Sequence, residues 1–158
     1  MGEVRVGQGF DVHAFSDDPG RRMVLAGVEF EGPGLVGHSD ADAVAHACID
    51  ALLGAAGLGD IGERYPDTDE RLAGADSMAL LADTVAAVRS EGWVIGNVDC
   101  TVIAEAPKLA PKRDEMRRRL EAVMGAPVRV TGRRAEGLGA LGRREGIACM
   151  VVALVQRP

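Results

Sequence analysis

Two residues in "GFDVHAF" (9–15) set the chemical question. Asp11 and His13 lie two apart in a stretch that reads as a strand, so alternation sends both to one face. A buried aspartate is costly without a positive partner, and a metal ion meets both residues at once. A second set lies in "DAVAHACIDALLGAA" (42–56). At about 100° per residue, Asp42, His46 and Asp50 fall within an arc of roughly 80°. Every other position there is Ala, Val, Leu, Ile, Cys or Gly, which makes a buried helix with one narrow polar stripe. A core histidine satisfied by a carboxylate would account for His46 alone. With Asp11 and His13, it completes a set of one oxygen and two nitrogen donors. That set suits zinc with an open fourth position, the arrangement of catalytic rather than structural sites. A flanking carboxylate, Asp42 or Asp50, is expected to orient His46 through its other ring nitrogen.

Four further groups can do chemistry. His38, Ser39 and Asp40 precede the polar-striped helix, where N-terminal donors can receive a phosphate; the plain alternative is a cap and a solvated loop. "GDIGERYPDTD" (59–69) is acidic and glycine-rich and reads otherwise as a surface loop. In "APKL" (106–109), backbone groups freed by prolines can read a planar base and Lys108 can meet a phosphate, although a simple turn explains the motif too. Glu136 stands among arginines and glycines. A carboxylate among phosphate-binding groups often holds magnesium; the alternative is a surface ion pair. There is no "GxxxxGK[ST]" and no Rossmann fingerprint, which argues against those nucleotide folds.

These residues need a frame. The chain has 158 residues, enough for one domain with a real core. It is 47% apolar but only 3% aromatic, so Ala, Val, Leu and Ile must build that core. A net charge of −6 argues against general nucleic-acid binding. Cys48, Cys100 and Cys149 are scattered in apolar runs and read as reduced core residues of a cytoplasmic protein. Neither a signal peptide nor a bilayer-spanning apolar run is expected.

Strands are expected over 4–15, 93–105, 127–131 and 147–155, with a hairpin over 23–30 turning at Ala26-Gly27. Helices are expected over 42–56, 77–90 and 111–124. Ser39 and Asp42 read as a capping pair for the first helix. Residues 63–76 read as a mobile loop, and 132–146 as a glycine- and arginine-rich one. The last strand has no polar alternation, so both its faces should be buried. Three helices cover one face of such a sheet, and a partner subunit is the economical cover for the other.

"GQGFDVHAF", "GHSDADAVAHACIDALLGAAGLGDIGERYPDTD", "AEAPKLAP" and "GLGALGRREGIAC" together resemble the 2-C-methyl-D-erythritol 2,4-cyclodiphosphate synthase family of the non-mevalonate isoprenoid pathway. The resemblance covers nearly the whole chain in order. It implies an α+β fold, a single domain over residues 1–158 with a mixed β-sheet and helices on one face. It also implies a homotrimer whose sheets face the three-fold axis and whose active sites lie between subunits. The implied reaction converts 4-diphosphocytidyl-2-C-methyl-D-erythritol 2-phosphate to the cyclic diphosphate, releasing CMP.

By the same resemblance, Asp11, His13 and His46 hold zinc (or another divalent transition metal), with Asp11 and His13 also near the substrate. Glu136 holds magnesium or manganese. His38 and Ser39 contact the phosphorylated erythritol, with His38 stabilising the transition state. Asp60, Ile61, Gly62 and Asp67 line the methylerythritol pocket. Ala104, Pro107, Lys108, Leu109 and Ala110 of the adjacent subunit read the cytosine and diphosphate. Arg143 and Glu145 ring a central channel that can take an isoprenoid diphosphate. Many members carry Thr-Thr-Thr-Glu where this chain has Arg133-Arg134-Ala135-Glu136, so Arg134 stands in a catalytic phosphate contact. Many also have Phe in place of Ala140. Two rivals follow: a zinc phosphohydrolase using an activated water, and a trimeric binding protein that lost catalysis with the threonines.

Overall fold

The strand expected over 4–15 runs from Glu3 to Ala14 (β1) in a computed structural model that describes residues 2–158. A hairpin, Met23–Leu25 (β2) and Val28–Phe30 (β3), follows. Its two turn residues, Ala26 and Gly27, have φ of 53° and 71°. That left-handed pair matches the natural twist of a two-residue hairpin. Next come Ala43–Ala56 (α1), a single turn Ile61–Arg64 (α2), Ser77–Ser90 (α3), Val94–Ile103 (β4), Arg113–Met124 (α4), Val128–Arg133 (β5), a second single turn Gly139–Gly142 (α5) and Gly146–Arg157 (β6). The main sheet has the order β1-β6-β4-β5. Its first two pairings are antiparallel, and β4 with β5 is parallel. This is the mixed-sheet α+β architecture expected. Among the described residues, no helix is long and apolar enough to cross a membrane.

Glycine sets where α1 lies. A Cβ on Gly7 would come within 1.9 Å of the Ala51 carbonyl oxygen, and one on Gly9 within 1.8 Å of that of Ala47. Only glycine lets the helix backbone come this close to the strand. Four helical residues advance about 6 Å and two strand residues about 6.6 Å. Ala51 therefore steps to Ala47 as Gly7 steps to Gly9, and the next step brings the first turn of α1 over Asp11 and His13.

Two expectations change. The 63–76 stretch is not a featureless loop: it closes α2, carries a 3-10 turn at Glu70–Leu72, and places the Tyr65 hydroxyl 2.6 Å from Asp83 of α3. The last strand is buried on one face only within the chain. Cys149, Val151, Ala153 and Val155 are inside, whereas Met150 and Val152 are 40% and 46% exposed. They share an apolar outer face with Val4, Val6, Phe10 and Val12 of β1. The continuous apolar run records two buried faces, and one chain supplies the cover for only one of them.

Candidate metal centre and basic cleft

Strand alternation and the seating of α1 bring Asp11, His13 and His46 together. His13 Nε2 is 2.8 Å and His46 Nδ1 3.3 Å from Asp11 Oδ2, and the two nitrogens are 3.2 Å apart. With metal–ligand bonds of about 2.0–2.1 Å, tetrahedral ligands lie roughly 3.3 Å apart, so these donors fit one divalent ion. Asp11 Oδ2 is a buried oxygen without a hydrogen bond of good geometry, the mark of an atom awaiting a cation. These three are the one clustered metal-ligating set among the described residues. Burial pushes the Asp11 carboxyl up, but the close approach of the His13 and His46 rings outweighs it and holds it down at about 2. Burial pushes His13 down, and Asp11 outweighs that too, leaving His13 above its ordinary value.

Each ring is fixed from behind. His13 Nδ1 donates to the Val36 carbonyl at 2.6 Å, leaving Nε2 to face the centre. His46 Nε2 lies 2.8 Å from Ser77 Oγ and 3.1 Å from Ser39 Oγ. The flanking carboxylates do not orient His46, contrary to expectation. Asp42 is itself the cap of α1, accepting the N–H groups of Val44 and Ala45 at 3.1 and 3.0 Å and of Ala26 and Gly27 at 2.9 and 2.7 Å. Burial raises its carboxyl to about 6 against the pull of those donors. Asp50 accepts the Ile61 N–H at 2.8 Å, tying α1 to α2. Ser39 therefore does not share the cap; it turns to His46. Ser77 and Asp40 were not picked out as partners of His46, because the link crosses 31 residues and local patterning carries no trace of it.

A cavity of about 400 Å³ opens over the triad. His38, Ser39, Ile61, Gly62 and Asp67 line it, with Tyr65. Asp60 is not in that wall; it caps α2 through the Glu63 N–H at 2.8 Å. His38 Nε2 sits 2.9 Å from the Asp69 carbonyl. Arg21, which sequence reasoning did not single out, donates to the carbonyls of Leu35, Gly37 and Ser39 and so clamps the loop that carries His38.

A second cavity, about 430 Å³, gathers Ala104, Pro107, Lys108, Leu109, Ala110 and Arg134. Arg113, Arg133 and Arg144 make it strongly basic. Arg134 Nε and Nη2 donate to Glu105 Oε2 at 3.0 and 2.8 Å, and Glu105 also takes the Ala135 N–H at 2.9 Å. The Arg134 guanidinium lowers the Glu105 carboxyl and is itself raised by it. Glu136, at φ 55°, is exposed and forms no ion pair among the described residues. Arg143 pairs with Glu145 at 2.7 Å, both exposed. Within one chain, the metal centre and the basic cleft do not share a cavity.

A mixed sheet backed by helices, an open Asp-His-His centre and a separate basic cleft define an α+β protein with a cluster able to hold a divalent metal and a cleft suited to anions. The model of the YgbB family matches residues 4–156, and the chain belongs to that family. It is 52% identical over 157 residues to the bifunctional enzyme IspD/IspF of Anaeromyxobacter dehalogenans (strain 2CP-C), covering 98% of this chain and 40% of that protein. The chain thus spans about two fifths of the length of such bifunctional relatives. It is 53% identical over 157 residues to the 2-C-methyl-D-erythritol 2,4-cyclodiphosphate synthase of Bordetella petrii, covering 97% of this chain and 96% of that one. Among solved structures it is similar to an IspF–CDP complex from Plasmodium falciparum, with a TM-score of 0.84 and 30% identity, covering 98% and 97% of the two chains.

Proposed function

We propose that the chain converts 4-diphosphocytidyl-2-C-methyl-D-erythritol 2-phosphate to 2-C-methyl-D-erythritol 2,4-cyclodiphosphate and CMP. The observation that carries this reading is the open Asp11–His13–His46 centre at the floor of a cavity sized for a small polyol phosphate. In the reaction, a 2-phosphate oxygen bonds to the β-phosphorus as the bond from that phosphorus to CMP breaks. Both reacting groups belong to the substrate, so no side-chain nucleophile is needed and the chain's work is positioning. Zinc held by Asp11, His13 and His46, and magnesium or manganese held by Glu136, supply Lewis acidity to the phosphates and a template for in-line attack. The exposed Glu136 carboxylate, which forms no ion pair among the described residues, suits an ion that is otherwise held by phosphates and water.

His38 and Ser39 hold the phosphorylated erythritol, and His38 places a donor where charge builds on the transferring group. Ile61, Gly62 and Asp67 shape the methylerythritol pocket, and Asp60 holds its wall by capping α2. Ala104, Pro107, Leu109 and Ala110 receive the cytosine, with Lys108 and Arg134 on the phosphates. These groups lie in a different cavity, and the uncovered sheet face is apolar. Both features support a homotrimer that pairs the metal centre of one subunit with the basic cleft of its neighbour. Arg143 and Glu145 then ring a central channel that accepts an isoprenoid diphosphate. Three buried free thiols, Cys48, Cys100 and Cys149, favour a cytoplasmic setting.

The test is phosphorus NMR of products from the purified protein with zinc and magnesium. The cyclic diphosphate and stoichiometric CMP are expected. Linear or inorganic phosphate would instead make this a zinc phosphohydrolase, and substrate binding without turnover an inactive binding protein.

A further inference from the structure

Ser77 is fully buried at the first turn of α3, far in sequence from anything at the metal centre. Its hydroxyl has three polar neighbours, and the nearest two make opposite demands. On one side, Asp40 Oδ1 takes its proton; the Ser77 backbone N–H also reaches Asp40 Oδ2 at 3.2 Å. On the other side, His46 Nε2 lies at 2.8 Å. Asp40 is locked in place: its N–H donates to the Ala75 carbonyl at 3.0 Å, and its carboxylate also takes the Asp42 N–H at 3.2 Å.

We infer that Asp40 and Ser77 are positioning residues that hold His46 in the tautomer with its proton on Nε2, so that Nδ1 is its metal-facing donor. A carboxylate only accepts, so the one Ser77 proton goes to Asp40. Ser77 Oγ then has only lone pairs left for His46. A bare Nε2 facing those lone pairs at 2.8 Å would be repelled, whereas an Nε2–H donates to them. Ser39 does not reverse this. Its oxygen takes the Ala41 N–H at 3.2 Å, and although its proton could meet a bare Nε2 at 3.1 Å, the closer Ser77 lone pairs at 2.8 Å would still face that nitrogen. The proton on Nε2 leaves Nδ1 free to ligate, 3.3 Å from Asp11 Oδ2 and 3.2 Å from His13 Nε2; a cation between these three atoms relieves the repulsion of their lone pairs, and without one Asp11 Oδ2 competes with Ser77 Oγ for the His46 proton from the longer distance. His13 uses the opposite assignment, with Nδ1–H on the Val36 carbonyl and Nε2 facing inward. The relay also joins the N-terminal ends of α1 and α3, so the packing of these two helices carries the orientation of a ligand.

The role assigned to this relay rests on the metal reading proposed above; the tautomer itself does not. Nitrogen-15 NMR of histidine-labelled full-length protein reads it directly, and a chain with three histidines is assigned by single substitutions. In zinc-free protein in alkaline buffer, Ser77 Oγ at 2.8 Å competes with Asp11 Oδ2 at 3.3 Å, and the His46 proton is expected mainly on Nε2. Ser77→Ala should mix the tautomers and weaken zinc about 10- to 100-fold in competition with a chromophoric chelator, the usual effect of losing a partner behind a ligand. Ser77→Thr should restore much of that affinity, and Asp40→Asn should lose part of it, because an amide can donate back to the hydroxyl. Circular dichroism checks that each variant is folded. A His46 proton on Nδ1 in the wild-type protein overturns the inference. So does a folded Ser77→Ala protein with unchanged tautomer and zinc affinity. If the wild-type protein binds no zinc yet carries the proton on Nε2, the metal reading fails and the tautomer assignment stands.

Discussion

At the metal centre, the chain meets its own polar atoms from inside; at the basic cleft, it leaves them to be met from outside. His13 is held by the Val36 carbonyl, His46 by Ser77, and Ser77 by Asp40, with the Asp11, His13 and His46 side chains only 12–24% exposed. In the cleft, Lys108, Arg113, Arg133 and Arg144 form no ion pair among the described residues, and Arg134, although paired with Glu105, is 65% exposed. In a chain of net charge −6, five of the 18 lysines and arginines thus line one cleft. The first arrangement fixes geometry to a fraction of an ångström, as metal ligation requires. The second supplies unneutralised field and long side chains that adapt to a charged guest. A substitution in the first region should therefore remove a function, while one among the cleft's exposed arginines should scale it.

His46→Ala is expected to give the largest effect. Removing one of three ligands should strip bound zinc and lower kcat/KM by at least about a thousandfold, roughly 4 kcal/mol of transition-state stabilisation. Size-exclusion chromatography should show the assembly intact, because the outer sheet face is untouched. Retention of full activity by this variant would end the metal reading.

In the cleft, Arg134→Ala should cost about 10- to 100-fold in kcat/KM, as expected for a charge-assisted phosphate contact of roughly 1.5–3 kcal/mol. Arg134→Thr should recover only part of it, since a hydroxyl gives a shorter, neutral bond. Wild-type kinetics for Arg134→Ala would place the residue outside the mechanism. Mixing tests whether the two regions meet between chains. An Asp11→Ala chain and a Lys108→Ala chain, each inactive alone, should give about a quarter of the wild-type rate after random exchange, because each site takes its two halves from different subunits. No recovery after demonstrated exchange would confine the site to one chain.

Acidity separates the regions by a smaller amount. The Asp11 carboxyl, held at about 2 against an ordinary 3.8, adds stability that is present above pH 3.8 and is lost as pH falls toward 2. His13 is raised above 6.5, so its share is complete below 6.5 and is lost as pH rises through the raised value. Zinc-free protein should therefore lose melting temperature on the alkaline side, relative to a His13→Gln reference. Zinc affinity should move the other way, since binding needs His13 without its proton. In the cleft, the Arg134 guanidinium is raised further by Glu105, so its contribution to KM should be flat with pH. Parallel slopes for zinc-free and zinc-loaded melts would contradict this.

The two regions also differ in how much of them can be read from residues alone. Asp11, His13 and His46 follow from strand alternation and helical spacing, and α1 and α3 end within a residue of their expected bounds, because short-range periodicity specifies all of these. What holds His46 does not follow. Asp42 and Asp50 share its helical face, but Asp42 turns to the hairpin N–H groups of Ala26 and Gly27 and Asp50 to Ile61. The actual partner, Ser77, arrives through the packing of α3 on α1. Likewise the outer face of β6 reads as buried from its sequence, yet the burial it encodes is not supplied by one chain. In the cleft, "APKL" and the arginine run carry little signal as residues; their grouping comes from β4 and β5 ending side by side, with Ile103 paired to Arg133.

The smallest effect expected is at Arg113, the first residue of α4 on the rim of the cleft. It is exposed and has no carboxylate partner among the described residues. Its charge therefore acts on a bound diphosphate through water, where two unit charges at several ångströms interact by about 1 kcal/mol or less. Arg113→Ala should raise KM about two- to fivefold at low ionic strength and leave kcat unchanged, because a rim charge steers and holds substrate without following the charge that moves in the transition state. The effect should fade as added salt shortens the screening length to about 10 Å at 0.1 M and below at higher salt. Arg134→Ala should keep most of its loss under the same conditions, since a direct hydrogen bond is poorly screened. Steady-state kinetics of both variants across a salt series separate the two kinds of contact. A salt-insensitive fall in kcat for Arg113→Ala would move this residue from the rim into direct contact with the reacting phosphates.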